Sequence, residues 1–161
     1  MLQAGRLMAY FDYDDKGAGG SENERITVLE GLSEDEWQMI IRNAQNISFS
    51  DGDILLKEGE VDDAVYIVVS GQVEVIGSQA FGRVKRIATI DEGSVFGEVA
   101  FFDTNPRSAS VRAVGNGSVL RLSRKGFEQI SAWNPSLAQQ FLFDLGSILA
   151  FRFRSEFPYK I

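Results

Sequence analysis

The chain has 161 residues, 44% apolar and 24% charged, which suits one compact soluble domain. Sixteen Lys and Arg against 23 Asp and Glu leave a net charge of −7, a balance that argues against neutralising nucleic-acid phosphates or anionic lipid. The absence of cysteine and histidine excludes disulfide frames, thiolate zinc sites, histidine-held metals and Ser-His-Asp hydrolysis, so neither catalysis nor a metal is expected.

Residues 1–25 read as a flexible leader, with Gly17, Gly19, Gly20 and Ser21 in a polar, acid-containing stretch. Within it, Met1–Phe11 has the makings of a short docking helix. The domain proper is expected over residues 26–161. Ser33 and Glu36 form a capping-box pair that opens a helix over Glu34–Ala44, with Trp37, Ile40 and Ile41 on one face. From Asn46 the period becomes two. Ile47/Phe49, Ile54/Leu55, Val65–Val69, Val73/Val75 and Ile87/Ile90 are short runs punctuated by Gly52, Gly59, Gly71, Gly77 and Gly93. Two further strands, Ser108–Val114 and Ser118–Leu122, are predicted on either side of a Gly115-Asn116-Gly117 hairpin turn.

After Leu122 a short helix containing Phe127, Ile130 and Trp133 should stop at Asn134-Pro135. Pro135 can open a longer one, in which Leu137, Phe141, Leu145, Ile148 and Leu149 make an apolar stripe. Leu142, Gly146, Ala150 and Phe153 lie beside that stripe. They either widen a single core face or form a second one for a homodimer. The expected fold is therefore mainly β with flanking helices: a jelly-roll β-barrel of about eight strands over about residues 46–123, with one N-terminal helix, a short helix near Glu98 and two C-terminal helices over about 124–157. No stretch approaches the roughly 18 apolar residues that span a bilayer, and no signal-peptide stretch precedes Asp12, so the expected compartment is the cytoplasm, with no membrane contact.

One segment departs from the β pattern: Gly93-Ser94-Val95-Phe96-Gly97-Glu98-Val99-Ala100-Phe101-Phe102, then Pro106-Arg107-Ser108-Ala109-Ser110-Val111. A glycine turn leads into about one helical turn, whose free N–H groups favour an anion nearby. Arg107 offers a planar fork of donors matched to phosphate oxygens, and Ser108 and Ala109 can add N–H groups. Glu98, an acceptor beside an anion site, needs donors such as sugar hydroxyls or Arg107. Phe101 and Phe102 are expected to pack in the core, and Arg83, Lys85 and Arg86 to form a solvated hairpin patch.

This segment resembles the phosphate-binding cassette of cyclic nucleotide-binding domains, the family of bacterial catabolite activator proteins, protein kinase A regulatory subunits and cyclic-nucleotide-gated channels. The likeness extends over about residues 30–155, through Phe49, Gly52, Glu58-Gly59, Ala64-Val65-Tyr66-Ile67 and Gly71 upstream and Leu120-Arg121-Leu122, Phe127 and Pro135 downstream. It implies a cyclic nucleotide as ligand and no other cofactor. Arg107 would hold the exocyclic phosphate oxygens and Glu98 the ribose 2′-hydroxyl. Gly97, Val99, Ala100, Ser108 and Ala109 would supply backbone groups, and Phe96 and Val111 would line sugar and base. Ser110 would face the base or bond within its strand. Counting from Pro135 places Arg152 and Phe153 where family members reach the base from the last helix, as a lid. Ser108 after the arginine leans to cAMP and leaves cGMP open.

Only eight residues follow Phe153, too few for a helix-turn-helix, so no DNA-binding module is expected. The expectation is a stand-alone receptor that acts on an unidentified downstream protein; the alternative is a degenerate, ligand-free domain serving as an interaction scaffold.

Overall fold

The computed structural model describes residues 27–156. The leader, the Met1–Phe11 helix and Phe157 lie outside these residues. Helix α1 (Glu34–Asn43) begins as the capping box requires. Ser33 Oγ accepts from the Glu36 N–H at 3.3 Å, and Glu36 Oε2 accepts from the Ser33 N–H at 2.8 Å. Strands β1 (Gln45–Phe49), β2 (Ile54–Leu56), β3 (Val65–Ser78), β4 (Val84–Ile90) and β5 (Val95–Phe96) follow. Then come helix α2 (Glu98–Asp103), strand β6 (Ser110–Leu122) and helices α3 (Arg124–Trp133) and α4 (Pro135–Glu156). Ser123 Oγ caps α3 by accepting from the Gly126 N–H, and Asn134 Oδ1 caps α4 by accepting from the Leu137 N–H. Pro135 thus sits where its missing N–H costs nothing.

The strands pair antiparallel in the order β1-β6-β3-β4, with β2 on β6 and β5 on β3. The architecture is mainly β with flanking helices, of jelly-roll type, but among the described residues it has six strands rather than about eight and the sheet is not closed. The difference arises at two places taken as breaks. Gly71 lies within β3, and Gly115-Asn116-Gly117 lies within β6 and makes no hairpin. The long pair β3·β6 runs from Val65↔Leu122 to Ile76↔Ser110, with register shifts around Ser70. Gly71 and Gly115, at φ +82° and +72°, bend the two strands where they face each other. Gly117 has a different duty. A Cβ there would collide with the Ser70 carbonyl oxygen and the Phe49 ring. Gly117→Ala is therefore expected to lower stability by about 1–3 kcal/mol, the usual range for overpacking, as read by urea unfolding.

Alternation along β3 explains the apolar run of residues 64–69. Val65, Ile67 and Val69 join Trp37, Ile40, Phe127, Leu137, Phe141 and Leu145 in one core beneath the helices. Ala64, Tyr66 and Val68 pack with Phe49, Phe96, Val111 and Val119 in the other. The strand is buried on both faces, so it reads as continuous rather than alternating. Phe101 packs edge-on against Phe127 at 5.5 Å between ring centres, as expected of a core residue. Phe102 does not join it: α2 packs by one face only, and the neighbouring position is 40% exposed. Among the described residues, no helix is long and apolar enough to cross a membrane, and no group of three or more Asp, Glu, His or Cys is placed to hold a metal.

Candidate functional site

Strand β5 ends at Phe96, and the next residue, Gly97, has a left-handed φ of +79° and caps α2. A side chain is doubly excluded there. The backbone conformation disfavours one, and a Cβ would lie 2.8 Å from Arg107 Nη1 and 3.1 Å from the Ala64 carbonyl. After α2, Asp103 Oδ1 accepts from the Asn105 N–H and turns the chain toward Arg107. The Arg107 backbone is pinned to the β2–β3 connection: its N–H donates to Glu60 O at 2.8 Å, and its carbonyl accepts from the Gly59 N–H at 2.9 Å.

The Arg107 side chain is 4% exposed. Nη1 donates to Gly97 O at 2.9 Å, and Nη2 donates to Ala64 O at 2.7 Å and Asp62 Oδ2 at 2.9 Å. Its Nε–H is buried and has no acceptor among the described residues. A buried, unmatched donor on a cation is a costly arrangement that an anionic oxygen would complete. Behind Arg107, Asp62 also accepts from Arg121 Nη2 at 2.6 Å and from the Tyr66 hydroxyl at 3.0 Å. The Tyr66 ring stacks on Phe96 at 4.9 Å.

Burial opposes ionisation of Asp62, yet the hydrogen bonds from Arg107, Arg121 and Tyr66 prevail and hold its carboxyl below the usual 3.8. Burial and the Asp62 charge push the Tyr66 hydroxyl above 10.0. A carboxyl with a lowered folded-state pKa contributes stability that is complete above its unfolded value and is lost as pH falls through the folded one. The network should therefore hold at pH 5 and fail below about 3.8, with Asp62→Asn removing that acid step from the pH dependence of unfolding.

Glu98 is also 4% exposed, at the first position of α2. Its Oε1 accepts from Arg152 Nη1 of α4 at 2.5 Å, and Arg152 Nη2 donates to Val95 O at 2.6 Å. Its donor is thus Arg152, not Arg107, and Oε2 has no donor among the described residues. A pocket of about 740 Å³ lies between these groups. It is lined by Phe96, Gly97, Glu98, Val99, Ala100, Arg107, Ser108, Ala109 and Val111, by Ile87–Ile90 of β4, and by Ile148, Phe151 and Arg152 of α4. One wall offers a guanidinium and backbone N–H groups, one offers a carboxylate, and the rest is largely apolar. That set suits a ligand combining an anionic phosphate, hydroxyls and a flat ring system.

Ten of the twelve residues singled out from the sequence line this pocket. Ser110 and Phe153 do not. Ser110 Oγ accepts from the Glu58 N–H at 3.0 Å, which ties β6 to the end of β2. Phe153 is half-exposed; Phe151 occupies the place assigned to it, one helical turn beyond Ile148. The sequence reading also missed Asp62, which holds Arg107 from 45 positions away. Arg83, Lys85 and Arg86 are exposed, as expected of a solvated hairpin patch, with Arg86 3.9 Å from Glu74.

The cyclic nucleotide-binding domain family pattern matches residues 46–133. A cAMP-dependent protein kinase regulatory subunit from Emericella nidulans is 34% identical over 107 residues, 66% of this chain and 25% of that protein. A cyclic AMP receptor protein from Thermus thermophilus is 28% identical over 127 residues, 79% of this chain and 57% of that protein. The match thus spans less than two-thirds of either relative. The crystal structure of a cyclic nucleotide-binding domain from Methylobacillus flagellatus superposes with a TM-score of 0.75 at 25% identity, covering 96% of this chain and 80% of the other. The matched segment contains the left-handed glycine, the buried Glu98 and the buried Arg107 around one pocket, and the chain belongs to the cyclic nucleotide-binding domain family.

Proposed function

We propose that this chain is a receptor domain for a cyclic nucleotide, cAMP in preference to cGMP, and that it signals to a protein partner in the cytoplasm through the end of α4. The unmatched Nε–H of buried Arg107 carries the reading, because a phosphate oxygen is the acceptor it lacks. The names of the two relatives, both tied to cAMP, support the ligand class. Arg107 takes the exocyclic phosphate oxygens, with Gly97, Val99, Ala100, Ser108 and Ala109 closing around them through backbone groups. Glu98 accepts the ribose 2′-hydroxyl at Oε2 while Oε1 keeps Arg152. Phe96 and Val111 cover sugar and base. The ligand then strengthens a contact that α4 already makes, and this differential affinity is what allows it to shift the position of the helix.

The exposed face of α4, with Leu142, Ala150, Phe153 and an open Gly146, is available to a partner or to a second copy of the chain. The scaffold reading has one observation in its favour: Glu98 and most of the Arg107 fork already have protein partners. Calorimetric titration with cAMP, cGMP and 2′-deoxy-cAMP decides between them. The receptor reading predicts saturable binding, tightest for cAMP and at least tenfold weaker for the deoxy analogue, since a hydrogen bond to a charged group contributes about 1.5–3 kcal/mol. Absence of binding by either cyclic nucleotide would leave the scaffold.

A further inference from the structure

A second concavity shares no lining residue with the first. It has a volume of about 290 Å³ and is lined by Arg42 at the end of α1, Gln45 of β1, Arg121 of β6, and Ser123, Lys125 and Gln129 at the start of α3, among others. Three of its lining residues are cations and none is a carboxylate. In a chain of net charge −7 that concentration is against the average. Arg42 and Lys125 have no ion pair among the described residues. Arg121 does: its Nη2 holds Asp62 Oδ1 at 2.6 Å, and the other oxygen of the same carboxylate holds Arg107 at 2.9 Å. One carboxylate therefore joins a cation of the small pocket to the cation of the large one.

We propose that this pocket is a second, separate binding site for a small phosphate-class oxyanion, and that its occupant weakens binding at Arg107. Two arginines and a lysine lining one small concavity match a multiply charged oxyanion, and the volume lies just below the usual range of ligand sites, about 300–1,000 Å³, which suits phosphate or pyrophosphate rather than a nucleotide. The sign of the coupling follows from the shared carboxylate. An oxyanion on Arg121 takes up part of the positive charge that faces Asp62, so Asp62 holds the Arg107 guanidinium more firmly to itself. A second negative charge on the far side of the same Arg–Asp–Arg chain also disfavours a phosphate on Arg107. The effect must be reciprocal: a ligand on Arg107 weakens the oxyanion site by the same factor. The coupling rests on the receptor reading; the site itself does not.

The test uses pyrophosphate as probe at ionic strength matched with chloride, on the whole chain. Side-chain and backbone ¹H–¹⁵N spectra should show saturable shifts at Arg42, Arg121, Lys125 and Gln129, and a smaller one at Arg107 Nε relayed by Asp62. The doubly substituted chain Arg42→Glu, Lys125→Glu should lose these shifts while keeping its cAMP affinity, because neither residue touches the large pocket. In the native chain saturating pyrophosphate should weaken cAMP about fivefold or more, the lower end of measured couplings, and the doubly substituted chain should not respond. Shifts that match the chloride control, or that persist in the doubly substituted chain, would overturn the site. Pyrophosphate binding that leaves the Arg107 resonance in place would overturn the relay. Both readouts stand without cAMP, so failure to bind cyclic nucleotide would count against the proposed function alone.

Discussion

Replacing Arg107 with alanine should lower cAMP affinity by a hundredfold or more and should lower stability as well. The first effect follows from the loss of at least two charge-assisted bonds to phosphate, each contributing about 1.5–3 kcal/mol, where about 2.7 kcal/mol is already a hundredfold. The second follows from burial. The side chain donates to the carbonyls of Gly97 and Ala64 and to one oxygen of Asp62; its removal takes that donor from the Ala64 carbonyl, while the Gly97 carbonyl keeps the Phe101 N–H and Asp62 keeps the Tyr66 hydroxyl. Each buried acceptor left without a donor costs about 1–3 kcal/mol, although Arg121 still holds Asp62. At 4% exposure Arg107 is part of the fold's interior, so the loss of stability accompanies the loss of affinity. Because the two effects are mixed in alanine, Arg107→Lys separates them. A lysine keeps the charge but cannot reproduce the planar fork, so affinity should still fall at least tenfold while more of the stability survives. Calorimetry and thermal unfolding on both variants check this. An alanine variant that binds cAMP as tightly as the native chain would remove Arg107 from the phosphate.

The second large effect belongs to Glu98. Glu98→Ala should weaken cAMP at least tenfold and abolish the preference for cAMP over its 2′-deoxy analogue, since the acceptor for that hydroxyl is gone. It should also loosen the end of α4, because Arg152 is held at that end by Glu98 Oε1 and the Val95 carbonyl. Glu98→Gln keeps a neutral acceptor and should lose less on both counts. Faster amide exchange near Arg152 in the alanine variant, measured without ligand, reports the loosening independently of binding. If native protein takes the deoxy analogue as readily as cAMP, Glu98 does not read the ribose.

Local signals carried the helices. Ser33 with Glu36 and Asn134-Pro135 mark a start and a stop that the structure keeps within a residue or two. The cassette was legible for a related reason: a left-handed glycine, an acid at a helix start and an arginine after proline are all visible within twelve residues. The strands were less so. Gly71 and Gly115-Asn116-Gly117 carry the composition of turns, and only their pairing across β3 and β6 shows that they are bends inside long strands. Composition cannot distinguish a glycine that reverses the chain from one that lets two strands approach closely, as Gly117 does against Ser70.

Long-range polar contacts were not legible at all. Asp62, Tyr66, Arg107 and Arg121 come from different elements, and nothing in their spacing announces a shared carboxylate. Arg152 was found by counting along the last helix from Pro135, and its ion pair with Glu98 places it at the pocket. Phe153 was misplaced by register. Residues 148, 151 and 152 share one face of α4 at helical spacing, and residue 153 turns about 100° beyond 152.

Hydrogen exchange on the whole chain, with and without saturating cAMP, tests the account most directly, since it reads the cassette and α4 in one experiment. The account predicts slowed exchange in two separate stretches, residues 97–109 and 148–154, with the Arg107→Ala variant showing neither at the same cAMP concentration. Unchanged exchange in both stretches, or protection elsewhere on the chain with the cassette untouched, would contradict it.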